Sequence, residues 1–140
     1  TILRGVAGSQ KIRDEMMPPS PIKLGITENN TLTHLETEHL TSIVTTLPGL
    51  LLGLDPFWGK GSGPLRTTFA RSDAKHLLRH VLSLWAGQKS KDRSKDGFES
   101  FAADTLDYAY DGPAVLDGEP VTLPKGRVTL RATSPVRFIA

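Results

Sequence analysis

The sequence predicts a mainly β protein: an antiparallel β-sandwich carrying one clear α-helix at about residues 72–87. Three observations lead there. Short runs rich in Val, Ile, Thr and aromatic residues recur along the chain with Gly, Pro, Asn and Asp between them. The last third alternates apolar and polar residues with period two. Only one stretch repeats its apolar residues at helical spacing. The 140 residues suffice for one domain with a core and are too few for two comfortable ones, so the expectation is a single sandwich domain over 1–140.

The elements follow in order. "TILRGVAG" (1–8) opens with β-branched and apolar residues and ends at glycine, which reads as a strand. "PPSP" (18–21) forbids a helix through it, and "PIKLGI" alternates weakly after it. "TENNTLTHLETEH" (27–39) reads as a polar connection whose bend is Asn29-Asn30. "LTSIVTTL" (40–47) has the composition of a buried strand. The glycines and prolines of "PGLLLGLDPFWGKGSGPL" rule out a long regular element, and "LRTTFA" (65–70) is again a strand. In "SDAKHLLRHVLSLWAG" (72–87), Ser72 or Asp73 is placed to cap the first turn and Gly87 to end the helix. Leu77, Leu78, Val81, Leu84 and Trp85 form its apolar stripe. "QKSKDRSKDG" (88–97) is a charged loop. "DTLDYAYDG" sets Leu106, Tyr108 and Tyr110 against Thr105, Asp107 and Ala109, a half-buried strand. "PAVL", "EPVTL", "RVTLRAT" and "PVRFIA" complete the set, with Val128, Leu130 and Ala132 facing one way.

Composition narrows the function classes. Seventeen basic against fifteen acidic residues leave a net charge of only +2, which does not call for a nucleic-acid partner. The absence of cysteine excludes disulfides and thiolate metal sites and fits a reducing compartment. The longest apolar run, "LPGLLLGL" (47–54), is far too short to span a bilayer. The expectation is a cytoplasmic protein with peripheral contact at a membrane surface. Because the chain starts at Thr1 inside one strand-like run and stops inside another, it is expected to be a domain of a longer chain.

Several motifs are candidates for chemistry, each with a plainer reading beside it. In "LDGE" (116–119), Asp-Gly is a strong hairpin signal, so Asp117 and Glu119 are either a turn with a solvated neighbour or two carboxylates held rigidly at a sheet edge. In the second case one would orient Mg²⁺ or its waters and the other would accept a proton from a hydroxyl nucleophile. "GKGSG" (59–63) is either a connection or a small anion-binding nest, although it lacks the spacing of a phosphate-binding P-loop. Phe57 and Trp58, side by side in a Gly/Pro loop, either cap the core or line an apolar cleft as substrate-binding residues. His76 and His80 are four apart on the expected helix, with no acid between them and no third ligand evident. His34 and His39, near Glu36 and Glu38, lie in a polar stretch and make a weaker pair.

The C-terminal "YDGPAVLDGEPVTL" (110–123) followed by "RVTLRATSPVRFIA" (127–140) resembles the end of the diacylglycerol kinase and sphingosine kinase-like lipid kinases. "TTLPGLLLGLDPFWGKGSGPLRTT" (45–68) is similar to a segment of some bacterial members, and the resemblance extends over roughly 41–140. It implies the C-terminal β-sandwich of a two-domain enzyme that moves the γ-phosphate of ATP to a lipid hydroxyl, such as that of diacylglycerol, with Mg²⁺. The family's active site lies between this domain and an α/β nucleotide-binding domain with a "GGDGT"-like loop. Carried over by motif, Glu119 is the base and Asp117 the acid on the metal and nucleotide side. No "GGDGT" occurs here, so the nucleotide-binding domain is a missing partner and the 140 residues alone are expected to be inactive. The rival readings are a stand-alone lipid or small-molecule binding domain, an interaction domain pairing through strand edges, and a relative of the NAD kinases.

Overall fold

A computed structural model describes residues 18–85, 93–123 and 127–134, with the single positions 15 and 139. The strands expected at 1–8 and 135–140 lie outside these residues, apart from position 139. The chain is mainly β, antiparallel and sandwich-like. Its strands are β1 (Ser20–Glu28), β2 (Thr31–Thr45), β3 (Leu65–Arg71), β4 (Phe98–Ala103), β5 (Thr105–Ala109), β6 (Pro113–Leu116), β7 (Glu119–Thr122) and β8 (Arg127–Arg131). Helix α1 (Leu77–Trp85) lies between β3 and β4. Six strands form one sheet in the order β4-β3-β2-β1-β5-β8, while β6 and β7 form a separate hairpin.

Two strands bend the large sheet over on itself. The first half of β2 pairs with β1, and after a register shift between His39 and Thr41 its second half pairs with β3. On the other side a single residue, Asp104, links β4, which pairs with β3, to β5, which pairs with β1. The Asp104 N–H donates to the Thr27 carbonyl at 2.8 Å, and its carboxylate accepts from the Asn29 N–H at 2.9 Å, which pins this corner. Strands that switch layers at bulges or bends are how sheets pack across one another. Ile22, Leu24, Leu106 and Tyr108 from one layer therefore meet Leu65, Phe69 and Ala103 from the other in one core. The bulge also turns Leu40 outward, onto a second cluster with Ala70, Ala74 and Phe98 against which Trp58 and Leu77 pack.

The structure corrects two sequence expectations. Asn29 and Asn30 make the expected bend, both with positive φ (49° and 62°), as a tight hairpin turn requires. The polar residues after them are not a connection, however, but the first half of β2. Leu35, Thr37 and His39 alternate inward against exposed His34, Glu36 and Glu38, and Glu36 pairs across the strands with Lys23 at 3.3 Å. The period was present, but its inward positions are mostly small or polar.

The helix expected over 72–87 is not matched in that form: the α-helical residues are Leu77–Trp85, and 72–76 are not helical. The backbone amides there are committed elsewhere. Ser72 donates to the Glu38 carbonyl at 2.9 Å and Lys75 to the Asp96 carbonyl at 2.8 Å. His76 then takes a left-handed φ of 56°, which no helix continues through. Asp73 does not cap; its carboxylate pairs with the Arg71 guanidinium at 3.0 Å, which holds the Asp73 carboxyl below its usual range. Of the apolar stripe, Leu77 packs on the outer cluster, while the side chains of Leu78, Val81, Leu84 and Trp85, and Gly87 itself, lie outside what is described.

Candidate functional site

The "LDGE" motif is the tip of the β6–β7 hairpin. Leu116 and Glu119 are its closing pair, with Asp117 (φ 49°) and Gly118 (φ 86°) as the two turn residues. Successive positive φ values suit the right-handed twist of the flanking strands, and Gly at the second position removes the Cβ that would resist them. Both carboxylates are exposed, and neither has a hydrogen bond or ion pair among the described residues. The turn sets them two residues apart, but it gives them different surroundings.

That difference arises from a cleft of about 930 Å³ between the hairpin and the inner face of the folded sheet. The sheet supplies Val44, Leu65, Val128 and Leu130 to it, and the hairpin answers with Ala114, Val115, Leu116 and Val121. Asp117 is at the rim of this space, whereas Glu119, the first residue of β7, is not part of its lining. The cleft has the size and apolar character of a small-molecule site.

One wall of the cleft is polar. His39 is buried, and its Nδ1–H donates to the Ser20 carbonyl at 3.1 Å, which fixes the ring. Tyr110 stands edge-on to that ring with centroids 5.1 Å apart, and its hydroxyl donates to the Pro113 carbonyl at 3.3 Å. Tyr110 thus ties the hairpin's root to β2. Deeper in the wall, burial pushes the Tyr108 phenol up to about 12, partly offset by the Ser42 hydroxyl beside it, so it remains an O–H donor at neutral pH. Its oxygen has no hydrogen bond of good geometry among the described residues. An apolar cleft with such groups on one wall fits an amphiphile: hydrocarbon for the walls and a polar group for Tyr108, Ser42 and His39.

The remaining candidates lie elsewhere. Phe57 is buried under the Arg66 guanidinium, 4.8 Å from its ring centroid, and half-buried Trp58 packs on the outer cluster. Neither lines the cleft. Two amides of the "GKGSG" loop are already bonded: Gly59 donates to Ser100 Oγ at 3.0 Å and Ser62 to Glu28 Oε1 at 3.2 Å. A phosphate would have to displace the protein's own acid. The loop lies so close to β4 that a Cβ on Gly63 would fall 2.1 Å from the Ala103 carbonyl carbon. His76 is exposed ahead of α1, while His80 packs edge-on against Phe98 with its Nε2 2.9 Å from Asp96 Oδ2. The two do not share a helix face. Among the described residues, no three His, Asp or Glu side chains are placed to hold a metal ion.

Sequence reasoning singled out Asp117 but missed the polar wall. Tyr108 and Tyr110 are visible as alternate residues of one strand. His39 and Ser42 reach them only because β2 folds over at its bulge. No protein-family model, curated protein or solved structure matches this chain.

Proposed function

We propose that this chain is the substrate-side domain of a diacylglycerol kinase-like lipid kinase, whose full enzyme transfers the γ-phosphate of ATP to a lipid hydroxyl. The observation that supports this reading most is that the apolar cleft, suited to acyl chains, has Asp117 of the "LDGE" hairpin at its rim. A hydroxyl at the mouth of such a cleft would lie near the hairpin tip, where Glu119 is the acid assigned to take its proton. The described residues offer little to Mg²⁺ or ATP. Among the described residues Asp117 is the only acid lining the cleft, no three His, Asp or Glu side chains are placed to hold a metal ion, and two amides of the glycine loop are occupied. In this reading both groups belong to a nucleotide-binding partner domain, with Asp117 on the side facing them.

The test is a kinase assay on the longer open reading frame containing these residues, with Mg-ATP and 1,2-dioctanoylglycerol. Glu119→Gln should lower turnover by about 10³-fold, the scale of a lost general base, at unchanged melting temperature. Turnover equal to wild type would overturn the base assignment. The absence of any phosphorylated lipid from the wild type would leave the second reading, a lipid-binding domain without catalysis. That reading is supported by the cleft's apolar walls, with the polar groups of Tyr108, Ser42 and His39 on one side.

A further inference from the structure

His39 has no part in the phosphoryl transfer proposed for this domain. It is nevertheless only 3% exposed and, among the described residues, the one histidine that lines the cleft. It stands beside the register shift of β2, between His39 and Thr41. Bulges of this kind re-aim the side chains next to them and are over-represented beside functional sites. Here the bulge brings His39 and Ser42, from the two halves of β2, into one cleft wall.

The ring is held with one nitrogen spent and the other to spare. The Ser20 carbonyl can only accept, so the 3.1 Å contact puts a proton on Nδ1. Tyr110 packs edge-on to the ring while its hydroxyl is committed to the Pro113 carbonyl, so it fixes the ring without bonding to it. In the uncharged ring this leaves Nε2 as an acceptor, and it has no hydrogen-bond partner among the described residues. Unlike the Tyr108 hydroxyl, which the fold encloses, Nε2 is open to a molecule in the cleft. A ring kept here only for packing would serve better as phenylalanine, because an acceptor without a partner is costly in a buried side chain.

We propose that the cleft is a site for an uncharged apolar alcohol, whose hydroxyl donates to His39 Nε2 at the root of the β6–β7 hairpin while its hydrocarbon body lies between hairpin and sheet. The ligand must bring the hydrogen, because Nε2 has none to give. It is uncharged because, apart from exposed Asp117 and Arg131, every other polar side chain lining the cleft is a hydroxyl. An ammonium or a carboxylate drawn to this wall would lose its hydration with no opposite charge to meet it. A hydroxyl needs only one acceptor, and its oxygen can in turn accept from the wall's own hydroxyls. The site is at the hairpin's root, away from the tip that carries Asp117 and Glu119, so it needs neither ATP nor the assigned base.

The test is calorimetric titration of the chain with octanol and with heptyl methyl ether, isomers that differ in the donated hydrogen. The wild type should bind octanol about tenfold more tightly, the scale of one hydrogen bond. His39→Phe, which keeps a ring for Tyr110 to pack on, should bind the two alike. In protein carrying isotope-labelled histidine, octanol should shift the Nε2 resonance of His39 and the ether should not, a readout that needs no variant. The proposal is overturned by a wild type that binds the isomers equally or binds neither, or by His39→Phe keeping the preference. Tighter binding of octanoate than of octanol also overturns it, since that would make a protonated His39 the anchor of a carboxylate. A His39-dependent preference for octanol, in a protein whose longer reading frame phosphorylates no lipid, would uphold the alcohol site and end the kinase reading.

Discussion

The folded-over sheet and the β6–β7 hairpin are both antiparallel, yet they stand in opposite relations to the core. The sheet's central strands carry the fully buried side chains, Ile22, Leu24, Phe69 and Leu106 among them, and its two corners lock the layers together. None of the hairpin's eight strand residues is buried. An isolated two-stranded hairpin is marginal in water, so this one is held by its own ladder and by Tyr110 on His39 at its root. The contrast separates the stability of the sheet from the hairpin's two carboxylates, while the cleft's other wall, through Leu65 and Tyr108, belongs to the core itself. Damage to the hairpin should leave the sheet largely readable.

The same substitution made in each region tests that separation most directly. Gly63→Ala places a Cβ against the backbone of β4, at 2.1 Å from Ala103 C and 2.3 Å from its O, and no side-chain rotation relieves backbone. The expected cost is roughly 3 kcal/mol or more, because the loop must lift from the second layer. The whole domain should therefore melt at a clearly lower temperature. A melting temperature within a degree of wild type would mean that the loop does not lie against β4 as closely as the structure has it.

Gly118→Ala meets nothing within 4 Å, and its penalty is conformational, from a φ of 86°. That penalty is about 1 kcal/mol and is local. Amide hydrogen exchange in 113–122 should speed up by roughly fivefold, while exchange in β1 and β3 and the global melting temperature stay put. If β1 and β3 exchange faster to the same degree, the hairpin is part of the cooperative core and the contrast between the regions fails.

The legibility of these regions in the sequence follows from the same difference. The Asp117-Gly118 turn and the Asn29-Asn30 bend were readable because a tight hairpin turn is fixed by the residues in it. The alternation of Leu106 and Tyr108 was readable because large side chains mark it. The first half of β2 was missed because its inward residues after Leu35 are Thr37 and His39, which carry little hydrophobic signal. The helix start was misplaced because residues 71–75 find backbone partners at 38, 96 and 97, pairings that no local pattern encodes. The cleft belongs to the same class. Its walls come from β2, β5, β8 and the hairpin, and only the fold brings Ser42 and His39 to Tyr108.

The smallest effect separates the regions by pH. Burial, and then the Arg93 charge, hold the His80 imidazole below its usual pKa, against the opposing pull of Asp96. Its unfolded value is about 6.5, so as pH falls past that point the unfolded chain takes up a proton that the folded chain still refuses. Stability contributed by neutral His80 is therefore fully present above about pH 6.5 and is lost progressively as pH drops through its folded pKa. Asp73 acts in a lower window, because its unfolded value is 3.8 and its folded value is lower still. Between pH 7.5 and 5.5 the melting temperature should therefore decline, and His80→Gln, which cannot titrate, should flatten that decline. His80 packs on Phe98 and Asp96, beside the second layer and away from the cleft, so hydrogen exchange in 113–122 should not follow the change. A decline that survives His80→Gln unchanged would move the acid sensitivity to other groups, and one that appears in hairpin exchange would tie the hairpin to the core after all.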